Sequence, residues 1–462
     1  MFTNFSIGTL GEYGLFASCL FLILGSIFIS VKLRFIQIRF LPALLGMLKG
    51  SIMSKSEDKG FTIPPTKALL TAMSTTIGLG TIVGPVIAIH LGGPGAILGF
   101  LLTAFFGSAT TFTEVNLAVK FRKKLASGEI LGGPMQYLKA LISPRAAKLY
   151  AIGCCILMTA WSGAQANQLA AILDSPLTGD YRVPTALTAL AIILLTLITL
   201  VGGIKRVSAL SSKLVPLMFA LYVVSGLTII FSDFDRLGVV IGQMFSSVFQ
   251  PYAMASGTLV GGLMSCLRWG IFKGVQATEA GIGSQAIPHS MAETHDAAAQ
   301  GTLSMVSSFT AGLLAFLSGC IVLVTDTWQD PNLPLGISMV AASFQMHFSH
   351  FGLAIIGICT VLFGFGTILG NSFNGSQCFG YFTNNRKFNV YYMLIASVIF
   401  YCTVAEVKTV WALVDVILTL VAIPHMTVLM MYVQRKSKEL MAHSPQTAVA
   451  EPSVEVSLVR EG

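Results

Sequence analysis

Charge is the scarcest material in this chain. Asp, Glu, Lys and Arg make up 10% of its 462 residues, against about 25% in a soluble domain, so an ordinary water-facing surface cannot be built from it. With 54% hydrophobic residues and a mean hydropathy of +0.78, the composition is that of a polytopic membrane protein. The formal net charge of +8 does not imply a nucleic-acid partner, because the basic residues are scattered among short links between apolar runs and mark topology instead. Cysteine pairs are missing too. The eight cysteines show no C-x-x-C spacing and lie mostly in apolar stretches, where they read as small buried hydrophobes. His289, Glu293 and His295 lack both the H-E-x-x-H spacing and a third ligand, His90 reads as interfacial, and there is neither a Ser/His/Asp context nor a phosphate-binding P-loop. These absences disfavour an enzyme or an ATP-driven pump, and no cofactor is expected. The N-terminus has no basic n-region and no A-x-A cleavage site, so the first apolar segment is expected to remain as a span.

What is present is glycine in an unexpected place. The stretch Met73 to Gly95 lies in a membrane-length apolar run yet carries Gly78, Gly80, Gly84, Pro85, Gly92, Gly93, Pro94 and Gly95. Each Gly weakens a helix by roughly 1 kcal/mol against Ala, and an interior Pro by roughly 3. A broken helix survives in hydrocarbon only inside protein or beside a water-filled cavity, where its amides suit a carboxylate and its carbonyls a cation. Close helix packing by small residues is the plainer reading of Gly78, Gly80 and Thr81, but packing does not call for Pro85 or the Gly-Gly-Pro-Gly that follows.

The chain divides into about eleven spans of roughly 20 residues each. Residues 1–67 are expected to hold one span (13–33) and a basic cytoplasmic loop, with the N-terminus outside and the C-terminus cytoplasmic by the positive-inside rule. Residues 68–232 form a block of five spans that begins with the broken helix at 68–91, and 233–250 an external interfacial segment. Residues 251–433 form a second block of five, beginning with a second glycine-broken segment at Pro251–Gly262 that runs inward to Arg268 and Lys273; 434–462 is expected to be a disordered cytoplasmic tail. Two blocks opening with broken helices of opposite direction predict a five-plus-five inverted repeat, with one extra N-terminal helix and a site at the midplane where the breaks meet.

Several motifs carry a resemblance. GLGTIVGPVIAIHLGGPGA, Glu114-Val-Asn-Leu-Ala-Val-Lys-Phe-Arg122, Gly132-Gly-Pro-Met-Gln-Tyr137, Gln165-Ala-Asn167, Lys273-Gly-Val-Gln-Ala-Thr-Glu-Ala-Gly-Ile-Gly-Ser284 and Phe363-Gly-Phe-Gly-Thr-Ile-Leu-Gly370 follow in order along nearly the whole chain. Together they resemble the alanine or glycine:cation symporter family. The resemblance implies an all-α leucine-transporter-type fold, sodium coupling and a small neutral amino acid as substrate. This chain departs from the family's pattern in four places. Gly78-Leu-Gly-Thr81 stands for Gly-Thr-Gly-Asn, Gly366 and Thr367 for adjacent threonines, Ser256-Gly257-Thr258 for Gly-Gly-Phe, and Asn371 for a Trp. The first two weaken an expected sodium site. The last two predict a roomier and more polar pocket than alanine needs.

The backbone at Gly78, Gly80 and Thr81 and at Ser256, Gly257 and Thr258 is therefore expected to hold the substrate's carboxylate and amine. Gln165 and Asn371 would read its side chain or amine, and Thr81 and Thr367 would help hold sodium. Gln165 and Asn167, two apart on a helix, point different ways, one to the cavity and one to a neighbouring helix; the match to the family's glutamine implies that Gln165 is the one that contacts substrate. Glu114 reads either as a carboxylate snorkelling to the interface or as an intramembrane proton carrier. Glu279 is expected either to pair with a base as an inner gate or to cap the next helix through backbone N–H groups. The reading is a secondary transporter in the bacterial cytoplasmic membrane, importing a neutral amino acid by alternating access with sodium. Proton coupling through Glu114, with a larger polar substrate, is the alternative, and a channel is the reading from another class.

Overall fold

Where apolar runs are interrupted decides how the helices sit. The computed structural model describes residues 7–53, 62–124, 130–174, 182–249, 259–385, 387–405 and 407–442. The first span is α1 (Ile7–Lys32), followed by one turn, α2 (Ile36–Arg39), and by α3 (Leu41–Met53). The segment expected as a basic loop thus holds a helix, since LPALLGMLKGSIM is apolar apart from one lysine and places Pro42 in the first turn, where its missing N–H costs nothing. The second span is a bent pair, α4 (Pro65–Thr76) and α5 (Leu79–Gly92), inclined by 41°. Between them Gly78 takes extended backbone, φ −114° and ψ −168°.

α6 (Ala96–Lys120) follows, then a two-residue antiparallel pairing of Lys123–Lys124 with Ile130–Leu131, and α7 (Pro134–Leu141), α8 (Pro144–Leu173), α9 (Thr185–Leu200), α10 (Gly203–Ser232) and α11 (Phe234–Phe249). The remainder is α12 (Leu259–Thr278), α13 (Ala286–Ser290), α14 (Ala297–Val324), α15 (Ile337–Phe348), α16 (His350–Thr383), α17 (Phe388–Val404) and α18 (Val407–Ala442). Among the described residues six helices are long and apolar enough to cross a membrane, and the bent pair makes a seventh. Three shorter apolar stretches, Ala17–Lys32, Thr185–Leu200 and Phe388–Val404, coincide with three more expected spans, and α12 with the last. α15 occupies a link for which the sequence suggested no element.

The break expected at Pro251–Gly262 begins outside the described residues, which resume at Leu259; the second break that they contain lies further on. Ser256, Gly257 and Thr258 lie outside the described residues, and α12 runs without interruption from Leu259 to Thr278, with Gly270 and Gly274 inside it. These glycines serve packing: a Cβ on Gly270 would meet the Ala96 carbonyl and the Gly99 Cα, and one on Gly274 the Thr103 side chain. The chain leaves the helix only at Glu279–Gln285, where Glu279, Gly281 and Gly283 take φ of +54°, +94° and +90°. Lys273, expected at a water-facing end, therefore stands within α12. The tail is also corrected in part. α18 continues through Ala442 with a local departure at Lys436, and Glu439 pairs with Lys120 of α6 and with Lys436 at 3.3 Å, an (i, i+3) contact that supports the last turns.

At the basic end of the bundle the chain leading into α4 is tied to the chain leaving α13. Ile63 N–H donates to the Met291 carbonyl at 3.1 Å, and Glu293 N–H to the Ile63 carbonyl at 2.8 Å. Arg122 donates to the carbonyls of Ser290 (2.8 Å), Ala292 (2.6 Å) and Thr294.

Gly270→Ala is expected to lower the melting temperature in detergent, because the overpacking cost of about 1–3 kcal/mol exceeds the roughly 1 kcal/mol gained in helix propensity. Gly242→Ala in α11, whose added methyl meets nothing within 4 Å, should hold or raise it. Equal melting shifts for the two variants would refute the close packing of α6 on α12.

Candidate functional site

The two interruptions meet through side chains. Thr75, in the last turn of α4, donates from Oγ1 to Glu279 Oε2 at 3.3 Å, and Ser284 Oγ donates to the same oxygen. Glu279 thus answers to hydroxyls, correcting the expectation of a basic partner or a backbone cap: its left-handed backbone ends α12 and leaves the carboxylate facing the end of α4.

Beside this junction is a cavity of about 480 Å³. Its wall comprises Thr75, Thr76, Gly78 and Gly80 at the first break, Val83, Gly84 and Ile87 of α5, and Trp161, Gln165, Gln168, Ala171 and Ile172 of α8. The rest is Lys273, Gln276 and Ala277 of α12, Glu279, the stretch Pro334–Ser338 leading into α15, and Thr367 and Asn371 of α16. The first turn of α5 opens here, with amides that have no helical acceptor and the positive end of the helix dipole. At Gly80 an added Cβ would meet nothing within 4 Å; at Gly78 it would run into the Thr367 hydroxyl.

Of the residues singled out by sequence, Gly78, Gly80, Gln165, Thr367 and Asn371 share this wall. Two of them have buried side-chain oxygens without a hydrogen-bond partner, Gln165 Oε1 and Asn371 Oδ1. Thr81 does not face the cavity; it is fully buried and donates from Oγ1 to the Gly78 carbonyl at 2.6 Å. Thr367 Oγ1 donates to the Phe363 carbonyl at 3.0 Å. The two hydroxyls therefore converge on Gly78, one on its carbonyl and one on its Cα, and each keeps acceptor lone pairs. Asn167 turns away and donates to the carbonyls of Cys402 (2.6 Å) and Ala405 (3.0 Å), which fixes α8 to the end of α17.

Glu114 does not reach the surface of the bundle. Its side chain is wholly buried and Oε1 accepts the Gly281 N–H at 2.8 Å, so snorkelling is ruled out; Lys120 reaches Tyr432 and Glu439 instead. His90 holds the Trp328 carbonyl at 2.9 Å, and His289 pairs with Gln300 at 2.6 Å. Sequence reasoning missed the α12 wall. Lys273 Nζ donates to Gln276 Oε1 at 3.1 Å, and Gln276 Nε2 to Asp415 Oδ1 at 2.6 Å. The signal was available, since Lys273, Gln276 and Glu279 recur every third residue and fall on one helical face.

Known proteins share both the sequence and the arrangement. The sodium:alanine symporter family matches residues 7–455. The sodium/alanine symporter AgcS of Methanococcus maripaludis is 32% identical over 416 residues, covering 88% of this chain and 90% of that protein. An uncharacterized transporter of Haemophilus influenzae is 30% identical over 417 residues, covering 89% and 90%. A Bacillus subtilis protein named "Probable sodium/glutamine symporter GlnT" is 29% identical over 402 residues, covering 86% and 81%. Among solved structures, a Na⁺-coupled sialic acid symporter in a substrate-bound outward-open state superposes with a TM-score of 0.51 at 15% identity, covering 94% of this chain and 86% of that one. The shared fold is of the leucine-transporter type. The matched family spans both breaks and the whole cavity wall between them, and the chain belongs to the sodium:alanine symporter family, whose members are multi-pass membrane transporters and not enzymes.

Proposed function

We propose that this chain imports a neutral amino acid with a polar side chain, together with sodium, by alternating access. The observation that carries the reading is the pair of unpartnered oxygens, Gln165 Oε1 and Asn371 Oδ1, in the wall of a cavity at the first break. A buried polar atom left bare costs about 1–3 kcal/mol. A ligand that brings N–H groups to both oxygens recovers that cost, and an amino acid offers an ammonium. Its carboxylate suits the amides at the start of α5, by Gly78 and Gly80. Thr81 Oγ1, Thr367 Oγ1 and the Gly78 carbonyl supply the oxygen ligands a hard cation takes.

Lys273, Gln168 and Gln276 make the wall polar beyond what a methyl side chain uses, which supports a substrate larger than alanine, and the name of the Bacillus subtilis relative agrees in kind. Ser256, Gly257 and Thr258 remain part of this proposal from sequence alone. The basic end of the bundle is read as cytoplasmic, in a bacterial inner membrane with the N-terminus outside and the C-terminus inside. On that reading the Arg122 clamp and the Ile63 pairing close the inner side, and release of substrate requires both to part. Residues 68–232 and 251–433 are read as the two repeats, with breaks at 77–78 and 279–285.

Uptake into proteoliposomes, with a panel of labelled neutral amino acids under a sodium gradient, a proton gradient or neither, tests the reading. Concentrative uptake that needs sodium and favours polar side chains is expected. Tight alanine uptake with larger amino acids ignored would overturn the pocket assignment, uptake driven by protons alone would overturn the ion assignment, and flux without accumulation would mean a channel. Gln165→Leu is expected to raise KM by about 10-fold to 100-fold, the loss of one hydrogen bond to a charged group at about 1.5–3 kcal/mol. An unchanged KM would remove Gln165 from the site. In Gly78→Ala the new methyl displaces the Thr367 hydroxyl, so sodium dependence should weaken while size-exclusion behaviour stays the same; unaltered sodium activation would exclude Thr367 as a ligand.

A further inference from the structure

The second break is gripped at a single residue by two groups that the proposed transport site does not use. Glu114 Oε1 accepts the N–H of Gly281 at 2.8 Å, and His425 Nδ1 lies 2.7 Å from the carbonyl of the same Gly281. Glu114 comes from α6 and His425 from α18, and both side chains are wholly buried. Gly281 sits at φ +94° with Leu22 of α1 and Met426 closing over its α-carbon. The glycine can leave this geometry only by releasing both grips.

The hydrogen bonds fix where protons can be. A carbonyl only accepts, so His425 Nδ1 carries a hydrogen and donates it to Gly281. The other ring nitrogen, Nε2, is 2.5 Å from Tyr137 Oη; it accepts that hydroxyl when the ring is neutral or donates to it when the ring is charged. Glu114 Oε2 has no partner at all. Among the described residues no lysine or arginine comes within 4 Å of Glu114; its ionisable neighbour at that range is His425, 3.7 Å away. The other titratable groups around the pair are Tyr137 of α7, Tyr150 and Cys154 of α8, and Glu279 of the break itself, whose carboxylate can only add negative charge. The amides of Gly281 and Gly283 both face the carboxylate, but a buried carboxylate with amide donors and no cation is still costlier than a neutral acid. Two arrangements avoid that cost: a protonated Glu114 beside a neutral His425, or an ionised Glu114 beside an imidazolium. They agree in proton number, so the titration belongs to the pair; His425 Nδ1 spends its hydrogen on the Gly281 carbonyl and stands 3.7 Å from Glu114, beyond hydrogen-bond reach, which places the proton on Glu114 in this conformation.

We propose that Glu114 and His425 form a proton-binding site, holding one proton against Gly281, and that the proton is released when the second break moves and water reaches Glu114. Proton occupancy then favours the conformation in which Gly281 is held, and by linkage a rise in pH favours its release. The site is separate from the substrate cavity, whose wall includes neither residue, so it stands whichever amino acid or coupling ion is carried.

The test uses the full-length protein in nanodiscs, without substrate, and reads two quantities. Infrared difference spectra between acid and alkaline buffer should contain the carbonyl stretch of a protonated carboxylic acid, which Glu114→Gln abolishes and Glu114→Asp shifts. Hydrogen exchange of the segment 279–285, compared between wild type and Glu114→Gln at matched pH, should show about 10-fold less protection in wild type at alkaline than at acid pH, and no such change in the variant, whose amide still accepts from Gly281. A carboxylic-acid band that survives Glu114→Gln unaltered, or the same pH dependence of protection in both proteins, would overturn the proposal. Should Glu114→Gln fail to assemble, Glu114→Asp carries the test: an unshifted band defeats the assignment and a shifted one supports it.

Discussion

A peptide group freed from a helix inside hydrocarbon must find a partner or line water. That constraint organises this molecule. At the first break Thr81 turns back on the Gly78 carbonyl, and at the second Tyr150 takes the Ile282 carbonyl and Gln285 the Thr278 carbonyl, while Gly281 is held on both its N–H and its C=O. The surrounding helices supply these partners, so the breaks are fixed and a cavity lies between them. Among the side-chain oxygens left without a partner, those of Gln165, Gln168 and Asn371 belong to the cavity wall.

Much of this was legible in the sequence because the signals were local. The first break and the spans around it follow from glycine density and apolar length; the inward-facing Gln165 came from the family resemblance, since periodicity alone left it level with Asn167. The break at 279–285 was not foreseen because glycine has two uses in membranes that composition does not separate. Gly270 and Gly274 let α12 approach α6, whereas Gly281 and Gly283 sit at left-handed backbone that only their environment reveals. The helix α15 and the short α3 escaped notice because charge and polarity, and not structure, define a link on paper.

The charged residues tell the same story from the other side. Lys273 and Glu279 stand close to a glycine-rich run and Glu114 close to the Lys120 cluster, and a water-facing end was one reading of each. All three lie inside, and each depends on a partner far away in sequence: Lys273 on Asp415 through Gln276, Glu114 on Gly281 and His425, Glu279 on Thr75. A linear reading can see that such residues are rare in a membrane and cannot see which distant neighbour compensates them.

The contact at Gly99 and Gly270 reaches beyond packing. Main chain lies directly against main chain there, with no side chain between to change rotamer and let one helix slide past the other. The α12 wall of the cavity is therefore braced on α6 by backbone. α8 is joined to the end of α17 differently, by the Asn167 side-chain amide donating to two main-chain carbonyls. The cavity is walled by both joined pairs, through α12 on one side and α8 on the other, so a molecule filling it touches two pieces of the bundle that are each braced internally.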